Sequence, residues 1–167
     1  ISDILSFFLR NIFRYRKKII EKNISQAFPD LGFNEKLKIK KKFYTHMCDL
    51  FLEIIKSMGM SKKEMTSRFK IKNIDVLNQF ENLNKSCFIM CGHYSSWEWM
   101  MSLGYHINHP GIGIYTPLAN PYFDKLIQKI RRKHNAFLLS RHEAFDNIIR
   151  NERLNNHAVY GFASDQS

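Results

Sequence analysis

The sequence predicts an α/β fold, a mainly parallel central sheet flanked by helices and preceded by a helical N-terminal region. Three observations carry that expectation. Apolar residues recur at three- and four-residue spacing in the first third of the chain. From about residue 85 short apolar runs alternate with amphipathic stretches, the pattern of parallel strands joined by crossover helices. The chain of 167 residues, 44% of them hydrophobic and 14% aromatic, can fill one good core but hardly two. A single domain is expected, with residues 1–67 as its helical region and 68–167 as its α/β part.

The apolar run at residues 4–9 is too short to cross a bilayer, which takes about 20 residues, and it has no signal-peptide pattern. Arg10, Arg14, Arg16, Lys17 and Lys18 then crowd beside Phe7, Phe8, Ile12 and Phe13. This reads either as the cytoplasmic flank of a membrane anchor lying upstream of residue 1, or as an amphipathic helix with a solvated basic face. Phe43, Met47, Leu50, Phe51, Ile54, Ile55 and Met58 form the stripe of a long helix, with Asn34 as a cap and Gly59 as a stop. Lysines at 36, 38, 40, 41 and 42 load its first turns, the wrong sign for the helix dipole.

Strands are expected at 87–91, 112–115, 136–139 and 158–162, and helices near 96–107, 120–133 and 142–153. An α/β sheet ordinarily continues with a helix over its last strand, so a stop at Ser167 reads as a C-terminal truncation of the domain. No repeat or low-complexity linker interrupts the pattern.

A formal net charge of +11, from 26 Lys+Arg against 15 Asp+Glu, favours an anionic partner: nucleic acid, an anionic bilayer surface or an acidic carrier protein. Cys48, Cys87 and Cys91 are too few and too scattered for a disulfide framework.

His93 follows the run Cys87 to Cys91, at the carboxyl end of a buried strand, where open α/β sheets bind ligands. Glu98 lies five residues on. On one continuous helix the two would diverge by about 140°, so they can meet only with His93 in the turn and Glu98 in the next helix's first turn. A neutral imidazole held by a carboxylate suits general-base chemistry, and a capping histidine beside an exposed glutamate has the same sequence pattern. Ser95 and Ser96 lack the elbow pattern of a nucleophilic serine. Cys87, Cys91 and His93 lack finger spacing and a fourth ligand, so no metal is expected.

Asn120 and Pro121 read as the cap and first residue of a helix with Phe123, Leu126, Ile127 and Ile130 as its stripe. Arg131 borders that stripe and can reach a semi-buried anion, while Arg132 points to solvent. A solvated basic helix end accounts for both arginines as well. Trp97, Trp99, Met100 and Met101 either line a pocket for an apolar chain or pack in the core.

With these residues the chain resembles the lauroyl and myristoyl acyltransferases of lipid A biosynthesis, within the wider lysophospholipid acyltransferase superfamily. Gly92-His93-Tyr94-Ser95-Ser96-Trp97-Glu98 matches the family's His-x-x-x-x-Asp/Glu segment. Its accompaniment runs along nearly the whole chain: Arg14-Tyr15-Arg16 before Asn23 and Ala27-Phe28-Pro29, Tyr115-Thr116-Pro117, Asn120-Pro121 with Asp124, Arg131, Arg141 and Ser164-Asp165-Gln166. The resemblance implies an acyl carrier protein thioester as donor, a lipid A precursor hydroxyl as acceptor, no cofactor, and action at the cytoplasmic face of the inner membrane on an anionic surface. It further implies that His93 is the base, Glu98 orients it and Arg131 aids the site, with Gly92, Trp97, Asn120, Arg141, Asp165 and Gln166 contacting substrate. The family often has Gly-Asn where this chain has Ser95-Ser96, and its domain runs past Ser167. The alternatives are an acyltransferase for another acceptor (glycerol phosphate, a lysophospholipid or an amino-acid lipid) and, in another class, a basic nucleic-acid-binding protein. The chain has no recognition motif for nucleic acid, so none is expected as partner.

Overall fold

A computed structural model describes residues 1–165, which fall into two compact units, residues 1–56 and 57–165. The boundary lies inside the long third helix, so the short helix near residue 65 belongs with the sheet rather than with the N-terminal helices.

The first unit holds α1 (Ser2–Phe7), a π-helical turn (Phe8–Ile12), α2 (Lys17–Ala27) and most of α3 (Phe33–Gly59). Ile20, Ile24 and Tyr44 form its buried centre, with Leu9, Ile39 and Met47 packed around them. The long apolar stripe read between Asn34 and Gly59 is α3, whose last residues belong to the second unit.

The second unit contains α4 (Lys62–Arg68), α5 (Asp75–Asn82), β1 (Cys87–Cys91), a 3-10 helix (Trp97–Tyr105), β2 (Gly111–Tyr115), α6 (Pro121–Lys133), β3 (Ala136–Ser140), α7 (Ala144–Arg153) and β4 (Val159–Ala163). The four strands are parallel in the order β1-β4-β2-β3. The fold is therefore α/β as expected, with the last strand inserted between the first and second. One register row aligns Ile89, Gly161, Gly113 and Leu138; the next aligns Phe88, Tyr160, Ile112 and Phe137. Successive side chains in a strand point to opposite faces, so one face of the sheet is built of small residues and the other of bulky ones. On the bulky face Phe88 stacks on Tyr160 at 5.4 Å.

The segment expected as a helix near 96–107 is a 3-10 helix over Trp97–Tyr105. Three residues per turn stack every third side chain on one face. Trp97, Met100 and Leu103 share one face, Glu98, Met101 and Gly104 the next, and both faces line a cavity over the sheet. Trp99 on the third face joins a core with Met60 and Met65, against which Tyr105 also packs. The Ser102 hydroxyl, fully buried, donates to the Trp99 carbonyl at 2.8 Å and so satisfies itself within the helix. Entry to β2 is fixed by the buried Glu81 carboxylate, which accepts from the Asn108 and His109 amides at 2.9 and 2.8 Å.

The 3-10 helix meets the turn between α6 and β3 at Gly104. A Cβ there would lie 2.2 Å from the Asn135 carbonyl oxygen, a backbone atom that cannot swing aside, while the Asn135 amide group donates to the Gly104 carbonyl at 2.6 Å. Gly104→Ala is expected to destabilise the protein by about 2–3 kcal/mol, as for other overpacked sites. Denaturant unfolding monitored by tryptophan fluorescence measures it, and an unchanged midpoint would refute the close approach.

Candidate active site

Cys91 pairs with Ala163 at the carboxyl ends of the adjacent parallel strands β1 and β4, and the Ser164 amide donates to the Cys91 carbonyl at 3.0 Å to extend the ladder. Two residues beyond each strand stand His93 and Asp165. Their side chains meet: His93 Nδ1 lies 2.6 Å from Asp165 Oδ1, and the His93 backbone N–H donates to Oδ2 at 2.9 Å. The two hydrogen bonds from His93, that of the ring first, hold the Asp165 carboxyl below the usual carboxylate range. An ionised carboxylate only accepts, so the proton resides on Nδ1 and the lone pair of the neutral ring on Nε2.

Gly92 gives this approach room. A Cβ at that position would sit 3.1 Å from Asp165 Oδ2 and 3.3 Å from its carboxyl carbon. Ser95 takes a left-handed φ of 51° in the turn that follows, the conformation glycine adopts freely and the place where the pattern of the resembling family often carries Gly. Trp97 packs edge-on against the His93 ring, with centroids 4.5 Å apart, and limits how the imidazole can turn.

Glu98, the second residue of the 3-10 helix, does not meet His93. Its carboxylate receives a bidentate pair from Arg131 on α6, Nε to Oε2 at 3.0 Å and Nη2 to Oε1 at 2.6 Å. Both side chains are largely buried, 10% and 15% exposed, so each charge depends on the other for compensation. The expected His93–Glu98 contact is thus replaced by two pairs, His93–Asp165 and Glu98–Arg131. The Arg131 guanidinium also lies over the Trp97 ring at 5.7 Å and the Tyr115 ring at 6.0 Å. Arg132 is exposed and reaches only Gln128 on its own helix, at 3.3 Å.

A cavity of about 120 Å³ opens behind this constellation. Trp97, Glu98, Tyr115 and Arg131 stand in its wall; its floor is the small-residue face of the sheet, including Gly111, Gly113, Gly161, Ala136 and Ala163. Met100, Met101, Leu103, Ile89 and Leu138 complete an overwhelmingly apolar lining. Cys91 also lines it; burial, aided by Asp165, pushes its thiol up in pKa, away from a nucleophilic thiolate. Among the described residues no group of three or more His, Cys, Asp or Glu side chains could hold a metal ion.

The remaining sequence-named residues fall outside this cluster or serve the fold. The Asn120 side chain caps α6, accepting from the Tyr122 and Phe123 amides at 3.0 and 3.3 Å. Asp124 braces the preceding loop, accepting from the Leu118 amide at 3.0 Å. Arg141 is exposed; its backbone amide donates to the Tyr115 carbonyl at 2.9 Å, and its side chain makes no hydrogen bond among the described residues. Gln166 lies outside the described residues. Sequence reasoning gave Asp165 a substrate contact and missed its bond to His93, because that bond depends on β4 lying beside β1, which no local feature of the sequence reveals.

No curated protein matches the chain. No helix among the described residues is long and apolar enough to cross a membrane. The whole chain, residues 1–167, matches the family of bacterial lipid A biosynthesis acyltransferases. With the His93 segment at the sheet's carboxyl edge and an apolar cavity beside it, this chain belongs to that acyltransferase family.

Proposed function

We propose that the protein transfers a fatty acyl group from an acyl carrier protein thioester to a hydroxyl of a lipid A precursor, with His93 as general base. The observation that carries this reading is the His93–Asp165 pair at 2.6 Å beside an apolar cavity. Nε2 of the neutral ring takes the acceptor's proton as the hydroxyl oxygen attacks the thioester carbonyl; the C–S bond then breaks as the imidazolium returns that proton to the departing sulfur, which leaves as a thiol. Asp165 fixes the tautomer and stabilises the imidazolium as it forms. The amides of Trp97 and Glu98 donate to no protein acceptor among the described residues and stand at the start of the 3-10 helix, suited to the carbonyl oxygen as it gains charge. Glu98 and Arg131 act as positioning residues that hold Trp97 against the imidazole. The donor, the acceptor and the anionic inner-membrane surface on its cytoplasmic face are the partners this reading requires, and the excess of cations suits both the acidic carrier and the membrane.

In the active protein His93→Ala should lower acyl transfer by about 10²–10⁴ with unfolding unchanged, the cost of losing a general base. Asp165→Asn should be comparably damaging, and the double variant little worse than His93→Ala, because the two act as a unit. Glu98→Ala should behave differently, costing about 3–5 kcal/mol of stability by leaving Arg131 uncompensated. Turnover and denaturant unfolding on the same variants separate these roles; a folded, active His93→Ala protein would remove the mechanism.

The carboxyl of Asp165 titrates below the ordinary aspartate value because the charged form gains two hydrogen bonds. The linkage follows in sign: this contribution to stability is fully present above the unfolded aspartate value and is lost as pH falls through the depressed folded one. Carbon-13 NMR of the Asp165 carboxyl should show the low midpoint in the wild type and a midpoint moved up in His93→Ala. Equal midpoints would mean that the pair does not form.

Gly161 has a negative φ and, at its Cβ position, no neighbour within 4 Å. Nothing in the fold requires glycine there, and glycine within a strand costs about 0.5–1 kcal/mol relative to alanine. The empty space belongs to the cavity floor. Gly161→Ala should therefore raise stability by about that amount, while Gly161→Leu should shift acyl preference toward shorter chains. Assays over a ladder of acyl chain lengths test this, and an unaltered chain-length profile in Gly161→Leu would mean that the acyl chain lies elsewhere.

A further inference from the structure

A second concavity, of about 490 Å³, lies wholly within the N-terminal unit. Six of its lining residues are cations: Arg10, Arg14 and Lys17 from the start of the chain, and Lys38, Lys40 and Lys41 from α3. The one carboxylate engaged with this set is Glu21, which pairs with Lys40 at 2.8 Å and approaches Lys17 at 3.9 Å. Arg10, Arg14, Lys38 and Lys41 have no ion pair among the described residues.

Repulsion among these charges is not relieved by the helices that carry them. Lys38 and Lys41 are three residues apart on α3, a spacing at which like charges destabilise a helix, and Arg10 and Arg14 crowd the same hollow from the π-helical turn and the loop that follows it. α2 begins with Lys17 and Lys18, has no side-chain cap, and so adds the positive end of its dipole to its own cations. A hollow of this kind is an electrostatic liability, and an anion seated in it adds attractions that offset the repulsion.

The backbone also fixes this arrangement at a cost. Arg14 and Arg16 take left-handed φ values of 48° and 50°, a region that side-chain-bearing residues enter rarely. A π-turn precedes them, closed by the Phe13 amide on the Phe8 carbonyl at 3.0 Å. The strained turn is pinned from inside the unit: Tyr44, 1% exposed, donates its hydroxyl to the Tyr15 carbonyl at 2.7 Å. Arg14 is thereby presented from a rigid support instead of a frayed helix end.

The same segment is strongly apolar on its surface. Phe7, Phe8, Ile12 and Phe13 are 52%, 42%, 57% and 71% exposed. A soluble anion would satisfy the cations and leave these side chains in water; a phosphate at a bilayer surface satisfies the cations while the aromatic rings enter the headgroup boundary. Arginine forks match phosphate oxygens in pairs. We propose that the hollow between the Arg10–Lys17 segment and α3 seats the phosphate of an anionic phospholipid headgroup. This deepens the membrane-surface part of the proposed function and does not depend on the acyl-transfer chemistry.

The test is vesicle co-sedimentation of the full chain, with neutral phosphatidylcholine vesicles and with vesicles containing phosphatidylglycerol. The wild type should prefer the anionic vesicles. Removal of two cations at an anionic surface weakens binding by about 25-fold when both contact lipid, at about fivefold each. Arg10→Gln/Arg14→Gln and Lys38→Gln/Lys41→Gln, from opposite walls, should each lose at least that much, whereas Lys22→Gln/Lys42→Gln, removing the same charge from exposed positions outside the hollow, should lose only a few-fold. Arg10→Lys/Arg14→Lys should bind within a few-fold of wild type. Equal losses in the hollow and control pairs would overturn the site in favour of diffuse attraction. Displacement of the protein from vesicles by millimolar inorganic phosphate at constant ionic strength would overturn the lipid as occupant. Failure of the wild type to prefer anionic vesicles would instead overturn the membrane-surface reading itself.

Discussion

Register between β1 and β4 decides whether this protein has a site at all. Cys91 faces Ala163, the Ser164 amide carries the ladder one bond further, and the chain then has only one residue on each side before His93 and Asp165 stand opposite one another. A slip of one residue would turn each strand's small and bulky faces over. It would also pull the carboxylate away from the imidazole by about 3.3 Å, beyond any hydrogen bond. Gly92 belongs to the same constraint, because a Cβ there would stand 3.1 Å from Asp165 Oδ2, a tight contact. The register in turn rests on packing: Phe88 stacks on Tyr160 and lies against Phe162 on the bulky face, which cannot be exchanged for the glycine-rich face without losing those contacts.

The small face shows why the cavity exists. Gly111, Gly113 and Gly161 lie in the middle two strands, and a helix seated over them can come close while leaving space between its side chains and the sheet. Gly104 lets that helix come closer still: the Gly104 Cα lies 3.8 Å from where a Cβ of Gly111 would be. Gly104, Gly111, Gly113 and Gly161 all line the open volume, which their missing side chains leave free between the helix and the sheet.

Much of the fold was legible from periodicity. The four strands fall within a residue or so of the apolar runs, since a buried parallel strand is read by its continuous hydrophobicity; α3 begins at Phe33, so Asn34 lies within that helix and is not its cap, whereas α6 begins directly after the polar residue expected to cap it. Asn120 is that residue, its carboxamide capping α6. Strand order was not legible: nothing local in the run Val159–Ala163 says that it inserts between β1 and β2, and the partner of His93 depends on that insertion. The 3-10 geometry of Trp97–Tyr105 was also hidden, because an α-helix and a 3-10 helix differ by only 0.6 residue per turn, too little for nine residues to reveal. Arg131 was separable from Arg132 because a 100° step from an apolar stripe is a large angle, and it is the former that lies in the cavity wall.

The five-residue interval between His93 and Glu98 then has a different physical meaning from the one that spacing alone suggests. The Glu98 carboxylate, in the first turn of the 3-10 helix, makes no hydrogen bond to the imidazole among the described residues and instead holds Arg131 from α6 by both oxygens. The bound guanidinium lies over the Trp97 ring, and that ring abuts His93 edge-on. Glu98 therefore reaches His93 through two intermediates. Burial makes the linkage rigid, because neither ion of the Glu98–Arg131 pair can leave the other without stranding a charge in an apolar wall. One carboxylate thus bonds the imidazole directly, and the other holds the guanidinium that lies over the ring packed against it. The two tasks need separate groups: Asp165 must stay at the open strand edge to meet the ring nitrogen, whereas an anchor for Trp97 must lie where water cannot loosen it.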